Sequence, residues 1–184
     1  MENGIDKENP NEESETITTS DVRKRESRIP LYRSIVRHHL SRWNIYNVRQ
    51  PIVEFSIEHI IPKKWFLHRE DSHDLYNLAS CERDWNSNRS DYRYGKGKLS
   101  YEKRKAGRFY HMERMFFPSK HADFGLIARS ILAMLEKYPY LRDILDDIID
   151  PSCLLYEWAR FPIYPYELQR NAWRREILND CICG

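Results

Sequence analysis

The sequence predicts an α+β fold in which two short strands and a helix lie within a mostly helical single domain. A length of 184 residues fits one domain better than two. Apolar residues make up 41% of the chain and aromatic residues 13%, which is enough for a hydrophobic core and excludes a wholly disordered protein. Apolar residues at helical spacing dominate the C-terminal half, whereas β-branched residues cluster between residues 51 and 61.

The N-terminal segment differs in composition from the rest of the chain. Residues 1–24 are rich in Glu, Asn, Ser and Thr, which predicts a disordered acidic leader before a domain over residues 25–184. Residues 1–21 hold seven acids and one base, a net charge of −6, so the other residues must carry +8 to give the total of +2. A basic body indicates either a negatively charged partner, most simply nucleic acid, or an ordinary solvated surface.

No stretch of the sequence indicates a membrane or an export pathway. No run approaches the roughly 18 consecutive apolar residues of a membrane span. The first residues have neither the basic nor the apolar region of a secretory signal. We therefore expect an intracellular protein, cytoplasmic or nuclear and not secreted, whose four cysteines are free thiols.

The first predicted helix covers residues 29–42. Ser27-Arg28-Ile29-Pro30 has the pattern of a helix start with Pro in the first turn, and apolar residues follow at helical spacing. Residues 51–61 are rich in β-branched and aromatic residues, which predicts a strand or a short hairpin. An apolar patch over 75–78 predicts a second strand, and residues 84–89 are predicted to form a short helix.

The second half of the chain is predicted to be helical. Asp123 is suited to be an N-cap, and apolar residues recur every three or four positions from there to Tyr138. Residues 140–149 form a second predicted helical stretch, which Asp150-Pro151 ends. A terminal helix is predicted over residues 165–178, with Pro in its first turn.

Chemically able side chains concentrate in three short motifs in the middle of the chain. They are Glu58-His59-Ile60-Ile61-Pro62, Asp74-Leu75-Tyr76-Asn77-Leu78 and Asn86-Ser87-Asn88-Arg89-Ser90. In this order they resemble the Glu-His-x-x-Pro, Asp-Leu-His-Asn-Leu and Asn-x-x-Arg-Ser motifs of the endonuclease I family, which belongs to the ββα-metal (His-Me finger) nucleases. Residues 123–129 and 167–171 resemble two later family motifs. The resemblance covers residues 30–178 and implies a ββα-metal finger of two strands and a helix.

The chain also departs from the family pattern. Tyr76 stands where members commonly have His, a change that we expect to be tolerated because that residue is neither base nor metal ligand in the family. Many relatives are secreted, whereas no export signal is recognisable here, which implies a different biological setting.

The resemblance implies that Glu58 and Asn86 bind a divalent ion, Mg²⁺ with Mn²⁺ or Ca²⁺ as substitutes, and that His59 is the general base. Mg²⁺ prefers oxygen ligands and keeps several waters, so one carboxylate and one amide oxygen are a sensible protein contribution. An imidazole with an ordinary pKa of about 6.5 can accept a proton from water near neutral pH. Because neighbouring strand residues point to opposite faces, the chain must bend at Glu58 and His59 for both to reach one phosphate.

Two further residues have roles that the resemblance implies. The side chain of Asn77 is expected to hydrogen-bond to the backbone of the loop that carries the base and thereby to orient it. Arg89 follows Asn86 by one helical turn, so both can face the same phosphate. Arg89 is expected to contact the substrate backbone or the cleaved product, and a salt bridge to Asp84 or Asp91 is the alternative.

A basic stretch begins at the third motif. Residues 86–114 contain nine bases and three acids, interleaved with tyrosines. These bases could follow a phosphate backbone and give salt-sensitive, largely sequence-independent affinity for DNA, with RNA as an alternative. A solvated loop or an import signal at residues 103–105 is the other interpretation. Arg69 is a looser candidate for neutralising charge in the transition state. The predicted nucleic-acid-binding residues are Arg69, Arg93, Lys96, Lys98, Lys103, Arg104, Lys105 and Arg108.

These patterns predict a metal-dependent DNA endonuclease with little sequence preference that uses one divalent ion and a histidine base. One alternative is a catalytically inactive nucleic-acid-binding protein on the same scaffold. Another is a structure-specific nuclease that cuts branched substrates. The functional side chains of all three motifs are present, which argues against the inactive alternative.

Overall fold

The computed structural model describes residues 43–96, 108–110 and 112–182, and it describes their side chains except over 108–110 and 176–182. The predicted leader and the predicted helix over 29–42 lie outside the described residues. The described residues have an α+β architecture of helices with two small sheets.

The first sheet is a pair of antiparallel strands followed directly by a helix. Strand β1 (Phe55–His59) pairs with β2 (Leu78–Glu82), and α1 (Arg83–Arg89) follows β2 and packs back onto β1. Glu58 lies opposite Ala79 in this register. The predicted strand over 51–61 and the predicted helix over 84–89 are thus confirmed, the first as a single shorter strand and the second with a start one residue earlier.

The connection between β1 and β2 corrects the predicted second strand. Residues 75–77 form a 3₁₀ turn, and β2 begins only at Leu78. The carboxylate of Asp74 accepts a hydrogen bond from the backbone N–H of Tyr76 at 2.9 Å, which stabilises the turn at its start. The prediction of a strand over 75–78 is therefore wrong, because this local capping outweighs the β propensity of the apolar residues. Earlier in the connection, Lys63–Trp65 and Arg69–His73 are also 3₁₀ turns.

The second sheet is not predicted from the sequence. Its strands are β3 (Arg93–Gly95), β4 (Arg108–Tyr110), β5 (Met115–Phe117) and β6 (Ile149–Asp150). Their order in the sheet is β4-β5-β3-β6, in which β3 lies parallel to both β5 and β6, and β4 is antiparallel to β5. Strands of two or three residues are too short to show a period in sequence, and their partners are distant in the chain.

The main helix of the core is α2 (Phe124–Lys137), as predicted. Asp123 caps it, because its carboxylate accepts a hydrogen bond from the N–H of Leu126 at 2.9 Å. The predicted helical stretch over 140–149 is confirmed with bounds one residue earlier, but most of it is a 3₁₀ helix. It is a 3₁₀ helix, Pro139–Ile144, that continues into a short α3 (Leu145–Ile148) before β6.

The last two helices close the core. The short helix α4 (Leu154–Trp158), which is not predicted, packs against α2 and buries Trp158 completely. The terminal helix α5 (Pro165–Ile182) begins at the predicted residue and extends four residues beyond the predicted end, residue 178. Neither α5 nor any other helix among the described residues could cross a membrane.

Two charged residues of α5 hold it against α2 and the start of β2. Glu167 forms an ion pair with Arg129 of α2, with 2.6 Å between Oε2 and Nη2. The guanidinium of Arg170, which is 2% exposed, donates to Ser130 Oγ at 3.0 Å and to the carbonyl of Leu78 at 3.4 Å. The late motif over residues 167–171 is therefore a packing device rather than part of the cavity described below.

We expect the N-cap of α2 to make stability depend on pH. Burial raises the pKa of Asp123 to about 6, although the N–H of Leu126 acts in the opposite direction. A carboxyl with a raised pKa stabilises the fold below its ordinary pKa of about 3.9, and this contribution is lost as the pH rises through about 6. Relative to the wild type, Asp123→Asn should gain about 2–3 kcal/mol in free energy of unfolding between pH 4 and pH 7.

Urea unfolding of both proteins at the two pH values measures this gain. The pH 4 comparison is the internal control, because it contains any change that the substitution causes independently of charge. An equal difference between Asp123→Asn and the wild type at pH 4 and pH 7 would contradict the prediction.

Candidate active site

A cavity of about 430 Å³ lies where β1 ends and α1 faces it. It brings together four of the predicted site residues, Glu58, His59, Asn86 and Arg89. Its remaining lining consists of two lysines, one serine, one aspartate and two apolar residues. These other residues are Ile57, Pro62, Lys63, Lys64, Ser90 and Asp91.

Asn86 is fixed by hydrogen bonds from its amide nitrogen. Its Nδ2 donates to Ser56 Oγ at 2.7 Å and to the carbonyl of Ile57 at 2.9 Å. Both contacts are to β1, because α1 follows β2 directly and turns back over its partner strand. With the nitrogen occupied in this way, the oxygen Oδ1 is the atom of the amide that remains to bind a cation or a water.

Glu58 and Arg89 form a buried ion pair at the base of the cavity. The distance from Arg89 Nη1 to Glu58 Oε1 is 2.5 Å, and each side chain is 1% exposed. Arg89 also donates to the carbonyls of His59 and Ile60, each at 2.7 Å, and lies over the ring of Tyr94 at 4.6 Å. The carboxylate partner of Arg89 is therefore Glu58 and not Asp84 or Asp91.

These contacts indicate that Arg89 positions Glu58 and the backbone at the end of β1. It joins the metal-ligand candidate to the backbone at the point where the chain leaves β1. A guanidinium enclosed in this way organises the cavity wall, and the contact of Arg89 with substrate or product stays a prediction.

The carboxylate of Glu58 is buried, and neighbouring groups partly offset the cost of burying its charge. Burial raises the pKa of Glu58, against the opposing effects of the Arg89 charge and the Tyr46 hydroxyl. The hydroxyl of Tyr46 also lies 3.0 Å from that of Tyr94, in the same buried network. The second carboxylate oxygen, Oε2, is enclosed and lacks a hydrogen-bond partner of normal geometry among the described residues.

His59 is held in the form that can accept a proton. Burial, and then the charges of Lys63 and the neighbouring His73 and Arg89, lower the pKa of His59 to about 3. Its ring lies 5.6 Å from that of His73, edge to face. Nε2 is enclosed without a hydrogen-bond partner in the described part of the chain. Enclosure of Nε2 leaves Nδ1 as the candidate ring nitrogen for accepting a proton.

The predicted bend lies just after the two motif residues and not at them. Glu58 and His59 keep the regular register of β1, opposite Ala79 and Leu78, and the chain bends at residues 60–61. Both side chains nevertheless line the same cavity. Because the cavity lies at the end of β1, side chains from both faces of the strand can line it.

Asn77 ties down the loop after β1. Its Oδ1 accepts from the N–H of Ile61 at 2.7 Å, and its Nδ2 donates to the carbonyls of Ile61 at 3.0 Å and Ser72 at 2.9 Å. These are the backbone hydrogen bonds that the resemblance implies. Because Asn77 is fully buried, the bonds are shielded from water and hold the loop beside His59.

The donor set of the cavity suits a hard divalent ion. Among the described residues, no three His, Cys, Asp or Glu side chains come together in a group able to hold a metal. Mg²⁺ does not need such a group, because it is commonly held by one or two protein oxygens, with water and substrate phosphates completing its shell. The carboxylate of Glu58 and the available amide oxygen of Asn86 are oxygen donors of the type that this requirement names.

The predicted nucleic-acid-binding residues are spread more widely than the cavity. Arg69 is exposed on a 3₁₀ turn and does not line it. Arg93 lies 3.4 Å from Asp150 and lines a second cavity, and Lys96 pairs with Glu157 at 2.8 Å. The remaining members cannot be placed around the site. Arg108 lies in β4 without a described side chain, and the residues outside the described ranges are Lys98, Lys103, Arg104 and Lys105.

Two basic residues that line the cavity are missing from the predicted nucleic-acid-binding residues. Lys63 and Lys64 are both exposed and line the cavity beside His59. They directly follow the Glu-His-x-x-Pro motif, and this position was the signal that could have identified them.

Comparison with known protein families agrees with the motifs. The sequence model of the family described as Endonuclease I matches residues 2–142. The match includes all three motifs of the cavity and ends before α5. No curated protein matches the chain. Because the match covers well over half of its length, the chain belongs to the endonuclease I family, a family of nucleases.

Proposed function

We propose that this nuclease is a metal-dependent DNA endonuclease with little sequence preference, in which the pair of strands and α1 act as a ββα-metal finger. The observation that supports this best is the convergence of Glu58, His59 and Asn86 on one cavity. The three residues come from β1 and α1, which are held together by the hydrogen bonds of Asn86 and Arg89.

His59 is the general base of the proposed reaction. Its Nδ1 accepts a proton from a water molecule as the water oxygen bonds to phosphorus and the bond from phosphorus to the leaving oxygen breaks. The lowered pKa of His59 leaves the imidazole neutral and able to accept a proton at neutral pH, but it also makes the ring a weaker base than an ordinary imidazole. Asn77 and Arg89 hold the backbone on either side of it and so set its position.

Glu58 and Asn86 would hold the divalent ion of the proposed reaction, Mg²⁺ with Mn²⁺ or Ca²⁺ as substitutes. When bound, such an ion neutralises charge on the phosphoryl oxygens and on the leaving alkoxide. Arg89 favours the ionised form of Glu58 and orients it through the ion pair, and Ser56 and the Ile57 carbonyl hold the amide of Asn86 with its oxygen available.

Lys63 and Lys64 bind the phosphate backbone of the substrate. Both are exposed at the rim of the cavity, where a phosphate entering it would meet them. Contacts of this kind recognise charge and not base identity, so affinity should be salt-dependent and largely independent of sequence.

A plasmid assay with the purified full chain tests the proposal. Supercoiled DNA incubated with Mg²⁺ should become nicked and then linear, excess EDTA should stop this, and excess Mg²⁺ should restore it. Linear and branched oligonucleotides should be cleaved at similar rates. A strong preference for the branched substrate would indicate a structure-specific nuclease.

One observation favours an inactive nucleic-acid-binding protein as the second candidate. Glu58 is enclosed and already paired with Arg89, which lowers the gain from binding a metal ion. DNA retarded in a gel, but intact with each of Mg²⁺, Mn²⁺ and Ca²⁺, would establish this alternative and reject the proposed reaction.

A further inference from the structure

A second cavity lies next to the candidate active site. Its volume is about 400 Å³, within the range of about 300–1,000 Å³ that is typical of sites for small ligands. It shares Lys64 and Asp91 with the first cavity, so these two residues form a common wall. The other lining residues are Trp65, Arg93, Glu113, Arg114 and Asp147.

A cluster of two cations and one acid extends from this wall into the second cavity. Asp91 Oδ2 is 2.5 Å from Lys64 Nζ, and Asp91 Oδ1 pairs with Arg114 Nη2. We call Lys64, Asp91 and Arg114 the cation bridge. Its net charge is +1, and all three members are accessible, with side-chain exposures of 44%, 21% and 59% respectively.

Aromatic rings hold the two cations in place. Lys64 Nζ lies 4.3 Å from the ring centre of Trp65, and the guanidinium of Arg114 lies 5.6 Å from that of Tyr92. Cations ordered in this way lose less conformational freedom when they bind an anion than free surface side chains do. The cation bridge is therefore preorganised for a monoanion.

We propose that the second cavity is the subsite for the nucleotide next to the cleaved bond, and that the cation bridge binds the phosphate of this nucleotide. The proposal rests on the proposed nuclease function. A polynucleotide with one phosphate in the first cavity must continue into an adjoining space, and the two cavities share a wall.

The rest of the second cavity suits a base and a sugar better than another phosphate. Beyond the bridge, its charged lining residues are Arg93, Glu113 and Asp147, which sum to −1. Carboxylates repel a phosphate but accept hydrogen bonds from base amino groups and sugar hydroxyls. The single phosphate of the subsite is therefore expected at the bridge.

Asp91 competes with the phosphate for both cations. Each of its oxygens pairs with one of them. Asp91→Asn preserves the shape of the side chain, removes the competing charge and raises the charge of the bridge from +1 to +2. The variant should bind DNA more tightly than the wild type, a gain that misfolding does not produce.

The test is DNA binding by the full chain in EDTA, measured by fluorescence anisotropy with labelled single-stranded and duplex oligonucleotides. Asp91→Asn should lower the Kd about 3- to 10-fold at low salt. The slope of log Kd against log salt should steepen by about 0.7 for a single strand and 0.9 for a duplex, the value for one additional neutralising charge on the protein.

Asp143→Asn is the matched control, because it makes the same change in net charge at an exposed residue that lines neither cavity. Its Kd should change by less than about twofold. Binding by Asp91→Asn that is no tighter than binding by Asp143→Asn would overturn the subsite. Because EDTA excludes cleavage, this result is independent of the plasmid assay, in which failure would reject the proposed reaction instead.

Discussion

Replacing His59 with alanine is expected to lower the rate of DNA cleavage by about 100- to 10,000-fold, which is the usual contribution of a general base. The imidazole is the only one in the described residues that lines the cavity with Glu58 and Asn86. Without it, the attacking water must lose its proton to solvent. Initial rates of plasmid nicking at saturating Mg²⁺ measure the effect.

His68→Ala is the matched control, because His68 is exposed and lines neither cavity. It should cleave DNA at the rate of the wild type. His59→Ala should still bind labelled DNA in EDTA with a Kd within about threefold of the wild type, because the cationic contacts are unchanged. Nicking by His59→Ala at the rate of His68→Ala would remove His59 from the mechanism.

Local sequence pattern predicts much of the region around the cavity. β-branched residues before Pro62 indicate β1, and Asp123 with the apolar spacing after it indicates α2. The three motifs add side chains whose chemistry is recognisable at short range. Each of these features depends on neighbours within one strand or one or two helical turns, which a sequence displays directly.

Contacts between distant parts of the chain explain most of what the pattern does not predict. Arg89 pairs with Glu58, 31 positions away, and not with the nearby Asp84 or Asp91, because the sequence does not show which face of α1 meets β1. Arg114 reaches Asp91 across 23 positions because the two residues precede β5 and β3, whose pairing a sequence does not show. The second sheet joins β3 to β6 through parallel pairing that needs the intervening helices in place.

Loss of Arg89 is expected to have the largest effect on stability. Arg89→Met should lower the free energy of unfolding by about 3–5 kcal/mol, because it leaves the carboxylate of Glu58 buried without its cation. The carbonyls of His59 and Ile60 lose their donors in the same change. Urea unfolding, followed by circular dichroism, measures the loss.

A double-mutant cycle separates the charge effect from the lost hydrogen bonds. Glu58→Gln removes the buried charge, so the double variant with Arg89→Met should be more stable than Arg89→Met alone by about 1–3 kcal/mol. It should remain below the wild type, because the two backbone carbonyls still lack a donor. Equal stability of the single and double variants would show that the two side chains are not energetically coupled.

The pair formed by Arg83 and Glu54 is a control in the same part of the fold. It joins the start of α1 to the residue before β1 at 3.4 Å, but its side chains are 64% and 58% exposed. Arg83→Met should cost less than about 1 kcal/mol, because water replaces the lost partner of an exposed charge. The contrast between the two arginines tests whether burial, and not ion pairing as such, makes Arg89 indispensable. If Arg89→Met costs as little as Arg83→Met, then the enclosed ion pair does not hold the end of β1 in place, and another contact must position His59.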